Sequence, residues 1–400
     1  MIRVTSRSVE LPALASAHSH AFQRGMRGEA QRPGDAGQDD FWSWRTAMYG
    51  LADALTPESI YEISLVAYRE LREAGVRTVG EFHYVHHQQG GVPYAERTVL
   101  ADAVIQAARA AGIRVALLRV IYARAGAGKA PEGAQRRFCD ATLEAAIADV
   151  EALRARYAGA EDVVIGVAPH SVRAVPPDWL PEIAAYAARH ALPLHMHVAE
   201  QPAEIAACLA ETGRRPVELL ADRGVLSERF VAVHATHLAP HEPALLGQAN
   251  AFACLCPTTE RDLGDGLPDV TALRAAGVRL CTGVDSHVMS DPFEDMRAVE
   301  LGERLRTGRR VTLRRSGGGG VAEGGGGGEE GRLDEGRSPA EELWRVGSQL
   351  GAEACGFADA GGTISIDRAA PQLALVREER LLDAIVFSGG PALVMGYCVP

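Results

Sequence analysis

Four positions along this chain carry side chains that can hold a metal ion. His18 and His20 form an H-x-H pair, His197 stands in the run HMHVAE, and Asp285 stands in GVDSH. On a strand, alternate residues face the same side, so both imidazoles of an H-x-H pair can reach one ion. Three imidazoles and a carboxylate suit a borderline cation such as Zn2+, with a position left for water. A cation held that way points to metal-assisted hydrolysis. His234 and His237, in VHATH, end another apolar run. Taken singly each residue is weak evidence, because a lone His or Asp near a strand end is more often a capped or surface residue. The combination is stronger: three separate strands deliver metal-type side chains to one face.

Those strands can be read from the hydrophobic pattern. Short β-branched runs at 76–84, 113–122, 163–171, 192–200, 230–237, 251–259 and 278–287 end in polar residues. Ala/Leu/Glu/Arg-rich stretches follow or separate them at 57–74, 101–111, 141–157, 177–190, 203–211, 240–248, 270–276 and 292–306. With the run entering His18, this makes eight strand–helix units, which favours an α/β fold closed into a parallel (β/α)8 barrel over an open sheet. No glycine-rich dinucleotide fingerprint follows the early strands, which further disfavours the open sheet. Pro57, Pro177, Pro240 and Pro292 sit near helix starts, and Gly75, Gly112 and Gly277 follow helices as C-terminal caps do. The candidate ligands fall at the C-terminal ends of the strands, where barrels build their active sites.

The barrel is expected over residues 12–350, with a further helix at 340–350. It is interrupted by a glycine-rich, low-complexity surface loop at 316–332. Residues 1–11 and 361–400 are read as a small β appendage, with strand-like pieces at 363–366, 373–376 and 384–387. A length of 400 residues accommodates one barrel and a small addition. A net charge of −11 argues against nucleic acid or an anionic membrane surface as partner. It leaves room for an anionic small molecule, which a few pocket arginines can attract. The N-terminus lacks a continuous apolar segment of the secretory kind, and no apolar run approaches the ~20 residues of a membrane span. The seven cysteines are odd in number and scattered, so they read as thiols in a reducing cytoplasm. Cys254 and Cys256 are expected to be buried on one strand face.

Several longer stretches narrow the reading. HSHAFQRGMRG (18–28), FWSWRTAMY (41–49), GEFHYVHH (80–87), APHSVRAV (168–175), HMHVAEQ (195–201), VHATHL (233–238), CPTTERDLGDG (256–266) and GVDSH (283–287) occur in this order along the chain. The chain resembles the amidohydrolase superfamily and, within it, the formimidoylglutamate deiminases of histidine degradation. The resemblance implies a distorted (β/α)8 barrel, a small β-sandwich domain and one Zn2+ per chain, with Fe2+ or another divalent metal as an alternative. It also implies hydrolysis of N-formimidoyl-L-glutamate to N-formyl-L-glutamate and ammonia in a homodimeric enzyme. By motif, the metal ligands are His18, His20, His197 and Asp285. Glu200 matches the catalytic glutamate, and His234 matches the active-site histidine of the next strand. The segment before His18 is short for the family, and the tail only loosely follows the family ending, so the β-sandwich is expected to be reduced.

A dicarboxylate substrate needs cations in the pocket. Arg45 and Arg173 are the candidates, since guanidinium binds carboxylate as a bidentate fork. Gln23, Tyr84 and His170 match family positions that contact substrate. His83, His86 and His87 lie in one short segment, read as a polar loop over the pocket mouth in preference to a second metal site. His237 and His287 are read as supports for their neighbours, and Trp42 and Trp44 as pocket walls or loop packing. Two other readings compete. One is a deaminase of the same superfamily acting on a nucleobase or guanidine-type substrate. The other is a non-catalytic zinc-binding descendant, disfavoured because structural zinc sites are closed and Cys-rich.

Overall fold

The computed structural model describes residues 3–31, 41–310, 313 and 338–398. The glycine-rich stretch at 316–332 lies outside the described residues. Eight parallel strands form one sheet in chain order: β3 (Leu14–Ser19), β4 (Val76–His83), β5 (Arg114–Ile121), β6 (Val163–Pro169), β7 (Leu194–Val198), β8 (Phe230–His234), β9 (Phe252–Leu255) and β10 (Arg279–Thr282). Their residues are buried almost throughout, as expected for strands covered on both faces. Helices alternate with them. Pro57–Glu73 opens on Thr56, whose side chain accepts the Ser59 N–H, and Val99–Ala111 ends on Gly112 at φ +74°, the left-handed cap that favours glycine.

The sheet curls until its first and last strands meet. An isolated parallel bridge between Ser19 and Asp285 joins them, carried by His20 N–H to Asp285 O (2.9 Å) and Asp285 N–H to His18 O (3.1 Å). Gly283 makes this approach possible, because a Cβ there would stand 2.6 Å from His18 Cβ. The barrel is irregular elsewhere: β6 and β7 share a single register pair, Val167 with Leu194, and the β3–β4 register shifts twice.

The chain ends supply the expected second β unit as one four-stranded antiparallel sheet. Its order is β1 (Arg3–Val4), β2 (Ser8–Pro12), β11 (Thr363–Asp367), β12 (Val394–Cys398). Two of the three strand-like pieces of the tail are not strands. Residues 384–387 belong to the helix Leu381–Ser388, which buries Leu381, Ile385 and Val386 on one face and packs on the helices Pro292–Thr307 and Pro339–Arg345. Residues 373–376 form a turn, in which Leu375 is fully exposed at φ +61° and Arg368 donates to the Leu373 and Val376 carbonyls (both 3.1 Å). A β-branched run alone cannot distinguish a strand from a helix face; the packing partner decides. The run at 251–259 likewise stops early, because Pro257 opens the helix Pro257–Leu263.

Candidate metal-dependent active site

His18, His20 and His197 converge. His18 Nε2 lies 3.2 Å from both His20 Nε2 and His197 Nε2. Asp285 Oδ1 faces the group at 3.5 Å from His18 Nε2 and 3.4 Å from His20 Nε2. The Nδ1 atoms of His20 and His197 are committed to the Phe82 carbonyl (2.9 Å) and the His170 carbonyl (3.1 Å), which leaves their Nε2 lone pairs aimed inward. Burial holds the His18 imidazole down at about 3 and lowers His20 and His197 as well, so all three rings are neutral. Burial opposes ionisation of Asp285, but its hydrogen bond to His18 and the charge on His234 outweigh it and keep the carboxyl well below the usual range. Neutral nitrogen lone pairs facing one another around an ionised carboxylate are a poor arrangement unless a cation sits among them. The donor set therefore fits a divalent metal.

The backbone turns sharply at three strand ends beside the site. His234 (φ +70°), Ala199 (φ +52°) and Asp285 (φ +54°) all adopt the left-handed region, which is uncommon for residues with a Cβ. Such outliers cluster where strands turn sharply to present functional side chains. His234 Nε2 stands 3.8 Å from Glu200 Oε1 and 3.7 Å from Asp285 Oδ2. On its far side, Nδ1 lies 3.2 Å from Glu260 Oε1, which also accepts the Cys256 N–H at 2.8 Å. Burial disfavours charge on His234, yet the carboxylates of Glu200, Glu260 and Asp285 prevail and pull it up to about 10. Burial raises Glu200 above the usual carboxylate range, and His234 opposes this.

The pocket beside these groups is lined by Gln23, Arg45, Tyr84, His170 and Arg173, all five expected substrate contacts. Trp44, Met48, Tyr49, Tyr122 and Phe138 complete much of the wall, while the side chain of Trp42 lies outside the described residues. Arg173 Nη1 donates to the Tyr122 hydroxyl at 3.2 Å, and the Arg45 guanidinium lies 5.0 Å from the centre of the Tyr49 ring. Gln23 Nε2 donates to the Tyr84 hydroxyl at 2.8 Å, while Gln23 Oε1 is buried with no hydrogen-bond partner. Glu260, Tyr122 and Met48 were not singled out from the sequence. Glu260 sits within CPTTERDLGDG, a stretch that marks the family, and only its contact with His234 shows its part.

The other histidines sort differently. His83, His86 and His87 do not cover the pocket mouth, as read from the sequence; they are buried, with His86 Nε2 on the Val120 carbonyl (2.9 Å) and His87 Nε2 on the Cys139 carbonyl (3.0 Å). The reason is a buried ion cluster beside them. Arg119 binds Asp140 through two 2.7 Å contacts and Asp149 through one of 2.6 Å, and such charges need polar surroundings. His237 and His287 do support neighbours, through the Asp265 carbonyl (2.7 Å) and the Ser19 hydroxyl (2.8 Å). Cys254 and Cys256 are buried.

The amidohydrolase family pattern matches residues 9–376, and the chain belongs to this family, whose members generally depend on a metal. Within it, the chain is a homologue of the formimidoylglutamate deiminase of Pseudomonas aeruginosa, 38% identical over 391 residues, spanning 97% of this chain and 83% of the relative. An 8-oxoguanine deaminase of the same organism is 31% identical over 289 residues, 72% of this chain and 61% of that protein. Among solved structures, an amidohydrolase from Brucella melitensis superposes with a TM-score of 0.85 at 34% identity, covering 100% of this chain and 89% of that one.

Proposed function

We propose that this chain hydrolyses N-formimidoyl-L-glutamate to N-formyl-L-glutamate and ammonia, with Zn2+ held by His18, His20, His197 and Asp285. The observation that carries this reading is the pairing of an imidazole–carboxylate metal cradle with two arginines, Arg45 and Arg173, in one pocket. A neutral nucleobase gives no use for two guanidinium groups, whereas a dicarboxylate uses both. Bound there, a divalent cation lowers the pKa of water towards ~7 and makes hydroxide available at neutral pH.

The chain's own residues do the rest. Arg45 and Arg173 bind the two carboxylates, with Tyr122 steadying the Arg173 guanidinium. Gln23 Oε1, buried and unpartnered, accepts an N–H of the amidine group, while Tyr84 holds the opposite end of its amide. His170 packs against the Tyr122 and Tyr84 rings at the pocket wall. Water adds to the formimidoyl carbon, and Asp285 accepts its proton. Glu200, whose pKa burial raises, carries protons to the departing nitrogen, the acid–base role of a carboxyl beside His234 and Asp285. Two protons reach that nitrogen by way of Glu200, the one Asp285 took from water and then the hydroxyl proton of the tetrahedral adduct. As C=O forms, the C–N bond breaks, ammonia leaves, and Asp285 and Glu200 return to their starting states. His234, backed by Glu260, donates from Nε2 toward the developing oxygen charge. A homodimer in the cytoplasm belongs to the same reading and rests on the family resemblance.

The test is ammonia release by zinc-loaded, folded protein supplied with formimidoylglutamate, 8-oxoguanine, guanine or cytosine. Release from formimidoylglutamate, abolished by chelator and restored by zinc, is expected. Release from a nucleobase instead would select the deaminase reading that the 8-oxoguanine deaminase relative favours. No ammonia from any of them would overturn the function.

A further inference from the structure

The metal ligands lie on both sides of the barrel's closing seam. His18 and His20 belong to the β3 side and Asp285 to the β10 side, and an isolated bridge joins the two strands. Ligand geometry is therefore only as good as the seam. Ser19, between the two histidines, donates its hydroxyl to Glu81 Oε2 at 2.6 Å and lies 2.8 Å from His287 Nε2, which donates to it in turn. The other Glu81 oxygen accepts the N–H of Ala21, the residue after His20, at 2.9 Å. His287 is two residues past Asp285, and Arg27 holds its carbonyl through contacts of 2.9 and 2.6 Å. Ser19, Glu81 and His287 are all buried. None lines the substrate pocket, and none is a candidate ligand. A carboxylate and an imidazole are costly to bury, and apolar residues would close a seam more cheaply. The bonds run from β4 through β3 to the loop after β10, and they bracket every ligand except His197.

We propose that Glu81, Ser19 and His287 form a positioning relay across the seam that sets His18, His20 and Asp285 at their metal-binding separation. The inference rests on the reading of those three residues as ligands. Outer partners of this kind change metal affinity by about 10- to 100-fold when removed.

The test uses full-length wild type, Ser19→Ala and His287→Ala, stripped of metal and titrated with Zn2+ against a chromophoric chelator. Each protein is also loaded with Co2+ and its visible absorption recorded. Both variants are expected to bind Zn2+ roughly ten- to a hundredfold more weakly and to shift the Co2+ bands, which report ligand geometry. Thermal midpoints of the metal-free proteins establish that each variant folds. A wild type that takes up no metal overturns the ligand reading and the relay with it. A wild type that binds, beside folded variants with unchanged affinity and Co2+ spectrum, overturns the relay alone; a fall in metal-free stability by itself marks the three residues as merely structural.

Discussion

Glu200 stands 3.8 Å from His234 Nε2, and burial favours its protonated form. If it carries the proton to the leaving nitrogen, Glu200→Gln keeps the shape and loses the proton transfer. Turnover is expected to fall by about a hundredfold or more, with zinc content by elemental analysis unchanged. Full activity in that variant would remove Glu200 from the mechanism. Arg173 makes a different demand, because it acts in binding. Arg173→Met should raise KM for formimidoylglutamate about ten- to a hundredfold, the loss of one charge-assisted hydrogen-bonding group, and change kcat less. Initial-rate kinetics separate the two effects. An unchanged KM would mean that the carboxylate lies elsewhere.

Between elements, the Arg119 cluster is a buried network of charges. Arg119 on β5 joins Asp140 in the following loop to Asp149 on the helix Leu143–Arg156, and Arg97 adds a fork to Asp149 at 2.7 and 2.9 Å. Arg119 and Asp140 are almost wholly buried. Removing Asp140 leaves Asp149 as the one carboxylate shared by Arg119 and Arg97, a buried excess of positive charge, so Asp140→Ala is expected to cost about 3–5 kcal/mol, read from urea denaturation. A cost below about 1 kcal/mol would place the pair with exposed salt bridges. The loop it anchors carries Phe138, part of the pocket wall, so a parallel rise in KM is expected.

For the whole molecule, the proposed site couples metal binding to the fold. Ligands from β3, β7 and the loop after β10 meet only in the closed barrel, so an ion held by them binds the folded state and not the unfolded chain. Stripping it with chelator is expected to lower the thermal midpoint by several degrees, with recovery on adding Zn2+; affinity at a thousandfold excess over Kd corresponds to about 4 kcal/mol. A midpoint indifferent to metal would separate the site from the stability of the barrel. The described residues include no helix long and apolar enough to cross a membrane.

The barrel was legible in the sequence, and so was the convergence of the candidate ligands, because both rest on local rules. Apolar runs alternating with helical stretches define the strands, and a ligand must stand at a strand's C-terminal end to face the pocket. His18, His20, His197 and Asp285 satisfy that rule one strand at a time. The five expected pocket residues lay on stretches long enough to resemble a known family. What the sequence could not decide depends on neighbours distant along the chain. Residues 384–387 look like a strand until two helices cover one face, and His83, His86 and His87 look like a surface loop until Arg119 and its carboxylates are found beside them. Glu260 behind His234, and the bonds from Glu81 through Ser19 to His287, join segments up to 268 residues apart. No local pattern encodes such a contact, because it exists only once the barrel has closed and brought His18 and His20 against Asp285.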